Sequence, residues 1–350
     1  MASRATERHL CQKKMKRHGN LFHKIVDLDN LHDAYRNARK GKSWQDTVKM
    51  FDANLDSNLD RIRESLLSKE YTTAAYRSKI VQEPKRRRIY ILPFDPDRIV
   101  QHAIIQVLGP IWDKLFIYHS YSSRVGKGMH KASRKTMEYL RRQRYVLKAD
   151  ISKFYPSIDH DILCGIIKNK IKCKDTLWLL RDIVYSFDGD KNVPIGNYTS
   201  QWFGNLYLNE LDQWVKNKQY GRYYIRYCDD FILFSNDKKH LHMIKDRMKE
   251  FLDQKLKLRF SRWSIFPVSQ GIDYLGYRHF PGHVLLRKTT AKRVKKRIKR
   301  LPKMLASGQI STEQYRSSIA STTGWMKWAN THNLSLSLEI DKLEEMYEKV

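Results

Sequence analysis

Cysteine, long apolar runs and acidic residues are all scarce in this sequence, and each scarcity excludes something. Four cysteines in 350 residues, Cys11, Cys164, Cys173 and Cys228, form no C-x-x-C pair. That rules out a disulfide framework, argues against structural zinc and fits a reduced, cytoplasmic setting. No stretch approaches the roughly 18 uninterrupted apolar residues of a membrane span. The basic opening MASRATERHLCQKKMKRHGN leads into no apolar signal core, so a soluble, unexported chain without membrane contact is expected. Fifteen glycines and nine prolines are too few for a low-complexity polymer, and a chain of this length can bury a sizeable core in two or three units. The histidines show no ligand pattern, since His240-x-His242 lacks the i, i+4 spacing of a helical metal site.

What the chain has in excess is positive charge. Sixty-seven Lys and Arg against 37 Asp and Glu leave a formal charge of +30. An excess of this size exceeds what solubility alone calls for and points to a polyanionic partner, above all nucleic acid. The basic residues recur along the chain, at 13–17, 36–42, 84–88, 141–144 and 291–300. Aromatics are interleaved with further Arg in RYYIRY (222–227) and SRWSIF (261–266), where rings can stack on bases while cations hold phosphates.

Periodicity divides the chain into four stretches. In the first, Leu55, Leu59, Ile62 and Leu66 follow helical spacing. The second opens with strand-like SKIV and RRRIYILP, then a helical period from Ile99 that Gly109-Pro110 is expected to interrupt. In the third, from about Tyr145 to Tyr277, strand and helix signals alternate as in a mixed α/β or α+β unit. The last is helical, and Val294, Ile298 and Leu301 share one face of a basic amphipathic segment.

Against so much positive charge, carboxylates clustered beside apolar runs are the informative exceptions. The strand-like run YVLKA delivers Asp150 at its end, with turn and helix-start signals at Pro156, Ser157 and Asp159. Two apolar runs flank Cys228-Asp229-Asp230, the pattern of a β-hairpin with two carboxylates at its turn. An Asp at a strand end is commonly a turn former or cap. Adjacent like charges held near a third carboxylate repel, however, and a cation is needed to neutralise them. Three carboxylates holding hard divalent ions is the arrangement required for two-metal phosphoryl transfer.

Together these segments resemble the palm of a reverse transcriptase. Tyr227-Cys228-Asp229-Asp230 resembles the family's Y-x-D-D hairpin, and Asp150 in KADISKFYPSID resembles its first catalytic aspartate. In order, 86–104 and 118–132 are similar to the two fingers motifs of group II intron-like enzymes, and GIDYLGYR (271–278) to the segment leading to the thumb. The segment 194–212, with Ile195-Gly196-x-x-x-Ser200-Gln201, resembles the reverse transcriptases of diversity-generating retroelements, as do LLRKTTAKRVKK (285–296) and WANTHNL (328–334).

The resemblance implies an α+β right-hand polymerase, with a helical N-terminal extension (1–78), fingers (79–147), a palm with part of the fingers interleaved (148–280) and a helical thumb (281–350). It implies RNA-directed DNA synthesis with two Mg²⁺ ions held by Asp150, Asp229, Asp230 and the Ile151 carbonyl. Tyr155 falls at the family's steric gate against ribonucleotides. Lys85 and Arg88 fall where the fingers meet the triphosphate of a dNTP, with Arg86 and Arg87 alternative registers. Ile195, Gly196 and Gln201 would line the nascent base pair, although Gly196 as a turn and Ser200 as a helix cap explain the same segment structurally. Arg124 and Lys127 are weaker candidates for template or nucleotide contact, and nothing in spacing separates Lys255 from Lys257 as a proton donor to pyrophosphate. The implied partners are a template-repeat RNA, the RNA/cDNA duplex and a small basic accessory variability protein, expected to be oligomeric. Two basic proteins repel, so shared RNA is expected to bridge them.

Overall fold

The structure, a computed structural model, describes residues 17–82, 86–218 and 220–340. It divides into two compact units. One gathers the described residues of Met1–Ile117 with Ile151–Val215 and Lys249–Arg259, and the other holds Tyr118–Asp150, Lys216–Met248 and the described part of Phe260–Val350. Helix and strand are mixed, as the alternation of signals predicts.

In the first unit, helices Leu28–Arg39, Asp46–Asp52 and Leu55–Leu67 precede a hairpin. The three-and-four spacing gives helix 55–67 a single apolar face, and Leu59, Ile62 and Leu66 are fully buried on it. Helix 28–39 starts at Asp27, whose carboxylate accepts from the Asp29 and Asn30 amides. It docks on helix Ile99–Asp113, where the Asn30 amide donates to the Ala103 carbonyl at 3.2 Å. The expected interruption at Gly109-Pro110 does not occur, and the helix continues to Asp113. Pro110 sits in the last turn, where losing one backbone bond costs little continuity. Gly109 meanwhile admits the Trp202 indole, from which an added Cβ would stand 3.2 Å. The strand-like segments form the antiparallel pair β1 (Arg77–Val81) and β2 (Arg87–Ile91), with Ile80 opposite Arg88.

In the second unit, β3 (Tyr145–Ile151), β4 (Tyr224–Tyr227), β5 (Asp230–Ser235) and β6 (Phe260–Pro267) form a sheet of order β4-β5-β3-β6. Val146, Ile225, Ile232 and Phe234 enter a core with Tyr139 and Leu140 of helix Met129–Leu140. Leu147, Ala149, Phe231 and Leu233 alternate to the opposite face and are buried too. Burial on both faces is why these strands read as unbroken apolar runs. A smaller sheet, β7 (Ile272–Tyr274), β8 (Tyr277–His279) and β9 (Val284–Leu286), leads to helices Lys288–Ala306 and Thr312–Met326. Val294, Ile298 and Leu301 share a core with Tyr315 and Ile319, leaving the basic face of helix 288–306 in solvent. Among the described residues, Cys164, Cys173 and Cys228 are free thiols, and no helix is long and apolar enough to cross a membrane.

Candidate active site

The acidic site is built by strand register. β3 and β4 both pair with β5 in antiparallel fashion, and Asp230 lies opposite Asp150 on one side and Tyr227 on the other. Directly opposed residues project to the same face with Cβ atoms about 5 Å apart, so the Asp150 and Asp230 carboxylates form a cross-strand pair at the end of an apolar face. The connection from Tyr227 to Asp230 is the two-residue turn Cys228-Asp229, tight enough to hold Cys228 at φ +57°. Asp229 therefore sits in the turn, whereas Asp230 begins the strand instead of sharing the turn with it. All three aspartates are half-buried.

Of three residues that the sequence did not single out, two hold this corner in place and the third adds a buried phenol to it. Ser261, on β6, donates its hydroxyl to the Asp150 carboxylate at 2.8 Å. Arg226, on β4, is fully buried and donates to the Cys228 carbonyl at 3.0 Å, bracing the turn from below. Its backbone exchanges bonds with His119 and Tyr121, which seats the 118–128 loop beside β4. Tyr274, on β7, is buried with a phenol oxygen that has no hydrogen-bond partner among the described residues. Burial, and then the charge of Asp230, pushes this phenol well above its ordinary value, so it keeps its proton. The alternation Arg226-Tyr227 was a visible signal for Arg226. Nothing local marks Ser261 or Tyr274, whose roles arise from sheet order.

Arg124 and Lys127 are spent largely on their own loop. Arg124 donates to the Ser120 carbonyl at 2.9 Å, and Lys127 donates to that of Tyr118 while its ammonium stands 3.4 Å from the Tyr118 ring centroid.

The nucleotide-side candidates belong to the other unit. Tyr90 of β2 donates its amide to the Ile195 carbonyl at 2.8 Å, which seats the 194–197 segment against the strand that carries Arg88. Gly196 has φ +127°, and a Cβ there would meet the Tyr90 carbonyl oxygen at 2.2 Å, so only glycine fits. Helix Tyr198–Asn217 follows. Its first amide, at Tyr198, donates to the Gln101 side chain at 3.0 Å. Ser200 is not its cap: the hydroxyl lies in the first turn and donates back to the Pro194 carbonyl at 2.7 Å, clipping the turn closed. From Thr199 to Asn209 every residue is buried except Gln201, which is exposed. Gly204, three residues on and so on the same helix face, receives the Tyr155 ring, with an added Cβ only 3.2 Å from its Cε1. The Tyr155 ring thus packs on this helix within one turn of Gln201, and Arg88 stands exposed on β2. Lys85 lies outside the described residues. Lys257 is held by Asp159 at 2.7 Å, and Asp159 also caps helix His160–Lys168.

Among the described residues, no three His, Cys, Asp or Glu side chains are grouped closely enough to hold a metal ion by themselves. The acidic corner still fits magnesium. Its donors are hard carboxylate oxygens on one sheet edge, and magnesium characteristically takes one or two carboxylates, retaining waters and substrate phosphates for its other positions.

Residues 78–279, more than half of the chain, match the family model for reverse transcriptase (RNA-dependent DNA polymerase). Protein YkfC of Escherichia coli is 27% identical over 277 residues, covering 65% of this chain and 73% of its own. The group II intron-encoded protein LtrA of Lactococcus lactis is 23% identical over 341 residues, covering 73% of this chain and 56% of its own. Retron Ec73 reverse transcriptase of Escherichia coli is 27% identical over 146 residues, covering 37% and 46%. The matched part spans about half the length of the last two.

Proposed function

The chain belongs to the reverse transcriptase family, and from that premise we propose that it is an RNA-directed DNA polymerase whose reaction is centred on Asp150, Asp229 and Asp230. The observation that carries this reading is the register of β3, β5 and β4, which opposes Asp150 to Asp230 beside a turn holding Asp229. In this reading the three carboxylates, with the Ile151 carbonyl at the end of β3, hold two Mg²⁺ ions. When bound, these supply the Lewis acidity that makes a primer hydroxyl nucleophilic and neutralises the triphosphate. The protein's own part is positioning. Ser261 orients the Asp150 carboxylate, and Arg226 fixes the turn that carries Asp229.

Arg88, with Lys85, grips the triphosphate of the incoming dNTP through its forked donors. Tyr155 presents a ring that rejects a ribose 2′-hydroxyl. Gln201, backed by Ile195 and Gly196, senses the shape of the nascent base pair, where changes in packing alter discrimination by only ~1–3 kcal/mol. Template and duplex are held by Lys and Arg contacts to phosphate.

Within the family we assign the chain to the diversity-generating type, copying a template-repeat RNA into cDNA with frequent errors opposite adenine and working with a basic accessory protein. The Ile195-Gly196-x-x-x-Ser200-Gln201 segment and the 328–334 segment support this. A second reading, another group II-like enzyme of intron or retron type, is favoured by the names of the relatives matched. One experiment separates them: primer extension on an RNA template with Mg²⁺ and dNTPs, followed by sequencing of the product. Synthesis that persists in Asp229→Ala would sink the acidic-site assignment. Error rates no higher opposite adenine than opposite other bases would leave the second reading.

A further inference from the structure

The unit that contains the N-terminal helices and β1–β2 also contains a cavity of about 610 Å³, within the range of small-ligand sites. Its cationic lining is Lys42, Arg77 and Arg98, and Gln45 and Asn54 add amides next to the apolar stretch that ends in Phe94. The one carboxylate of the lining, Asp95, is paired through Oδ2 with Arg61 at 2.6 Å, while its Oδ1 is buried with no hydrogen-bond partner among the described residues. Arg98 is half-buried, and among the described residues it has no ion pair and no side-chain hydrogen bond. Lys42 donates to the Ala38 carbonyl at 3.3 Å, and burial, then the charge of Arg98, holds its amine below the ordinary value.

Two cations brought out of water beside one another, with no carboxylate paired to either, are unfavourable in an empty pocket. An anion relieves both terms, and the guanidinium fork matches a phosphate. The remaining wall suits a base: apolar surface for its faces, and amides that both donate and accept for its edge. We propose that this cavity binds a nucleoside phosphate, with the phosphate on Arg98 and Lys42 and the base against the Phe94 wall and the amides of Gln45 and Asn54. The same chemistry is offered by a free nucleotide and by one nucleotide of a bound RNA strand. The proposal does not rest on the polymerase reading, because the acidic turn belongs to the other unit and the binding needs neither Mg²⁺ nor dNTP.

The test is arginine footprinting of the full chain. Phenylglyoxal modification of Arg98 is followed by peptide mass spectrometry without Mg²⁺ or dNTPs, in the presence of 5′-AMP, of a short oligoadenylate, or of neither. At saturating probe, slowing by about fivefold or more is expected from simple occupancy. Protection by both probes identifies a site open to free nucleotide, and protection by the oligonucleotide alone identifies a site for a nucleotide within a strand. Unchanged modification with both overturns the proposal. Lys42→Gln, with its fold checked by circular dichroism, should weaken the protecting probe by about tenfold, the loss of one charge-assisted contact. Undiminished protection in that variant would mean general shielding by bound RNA and would equally overturn it. Loss of primer extension in the same preparation leaves these outcomes unaffected, so the two readings fail separately.

Discussion

At Gly196 the backbone leaves no room for a side chain: φ is +127° and the Tyr90 carbonyl occupies the position of a Cβ. Gly196→Ala is expected to destabilise the protein by roughly 1–3 kcal/mol, read as a lower urea midpoint at constant slope. An unchanged midpoint would mean that the 194–197 segment can leave β2 without cost. Tyr274 poses the opposite case. Its buried hydroxyl makes no bond, and leaving such a group unsatisfied costs about 1–3 kcal/mol. Tyr274→Phe should therefore hold or raise the melting temperature while slowing primer extension, because a buried phenol close enough to feel the charge of Asp230 is replaced by an apolar ring. A variant as fast as the parent would show that the phenol has no part in orienting Asp230.

Elements, in contrast to single residues, were mostly legible before the structure. Helix 312–326 illustrates a local rule operating alone: Ser311 and Gln314 form a reciprocal capping box, so Ser311→Ala should cost about 1 kcal/mol. Hydrogen exchange should localise that loss to the 312–326 amides and leave β3 and β5 protected. The β4–β5 hairpin and β3 were readable because burial on both faces writes an apolar run into the sequence, which makes Asp150, Asp229 and Asp230 conspicuous. Helix 55–67 and the Val294, Ile298, Leu301 face were readable from period alone. What escaped was tertiary. The helix runs through Gly109-Pro110 because Pro110 falls in its last turn, with Trp202 packed on the glycine, and Ser200 clips a turn instead of capping because the Pro194 carbonyl comes back to it. Ser261 and Tyr274 reach the acidic corner only through the order of strands in two sheets, for which no spacing in the chain is a signal.

Across the whole molecule, a charge of +30 makes nucleic-acid binding a salt-dependent property. Affinity for a template–primer duplex should fall linearly with salt on logarithmic axes, by nearly one per phosphate contact, and replacing three basic residues of helix 288–306 should reduce that slope measurably. Burial, in turn, shapes the response to acid. His102, His119 and His279 are each lowered from 6.5 to about 4, burial being the first cause in all three. His279 is the best defined. Ser133 Oγ lies 2.7 Å from its Nε2, and the Trp328 indole donates to Ser133 at 2.9 Å, tying the 328–334 segment to helix 129–140. With the indole and hydroxyl protons directed along that chain, Nε2 acts as acceptor, and protonating it removes the acceptor. The folded value lies below the unfolded one, so the unfolded chain takes up protons first. Stability is then complete above about pH 6.5 and falls as the pH drops towards 4, by on the order of 2–3 kcal/mol for a fully buried imidazole. Buried Asp97 and half-buried Glu210, raised by desolvation, act in the opposite direction at the lower end of that window. His279→Gln, which keeps an acceptor for Ser133 but cannot titrate, isolates the histidine. Its urea midpoint should be lower than the parent's at neutral pH and decline less steeply on acidification, and parallel declines in the two proteins would remove His279 from the account.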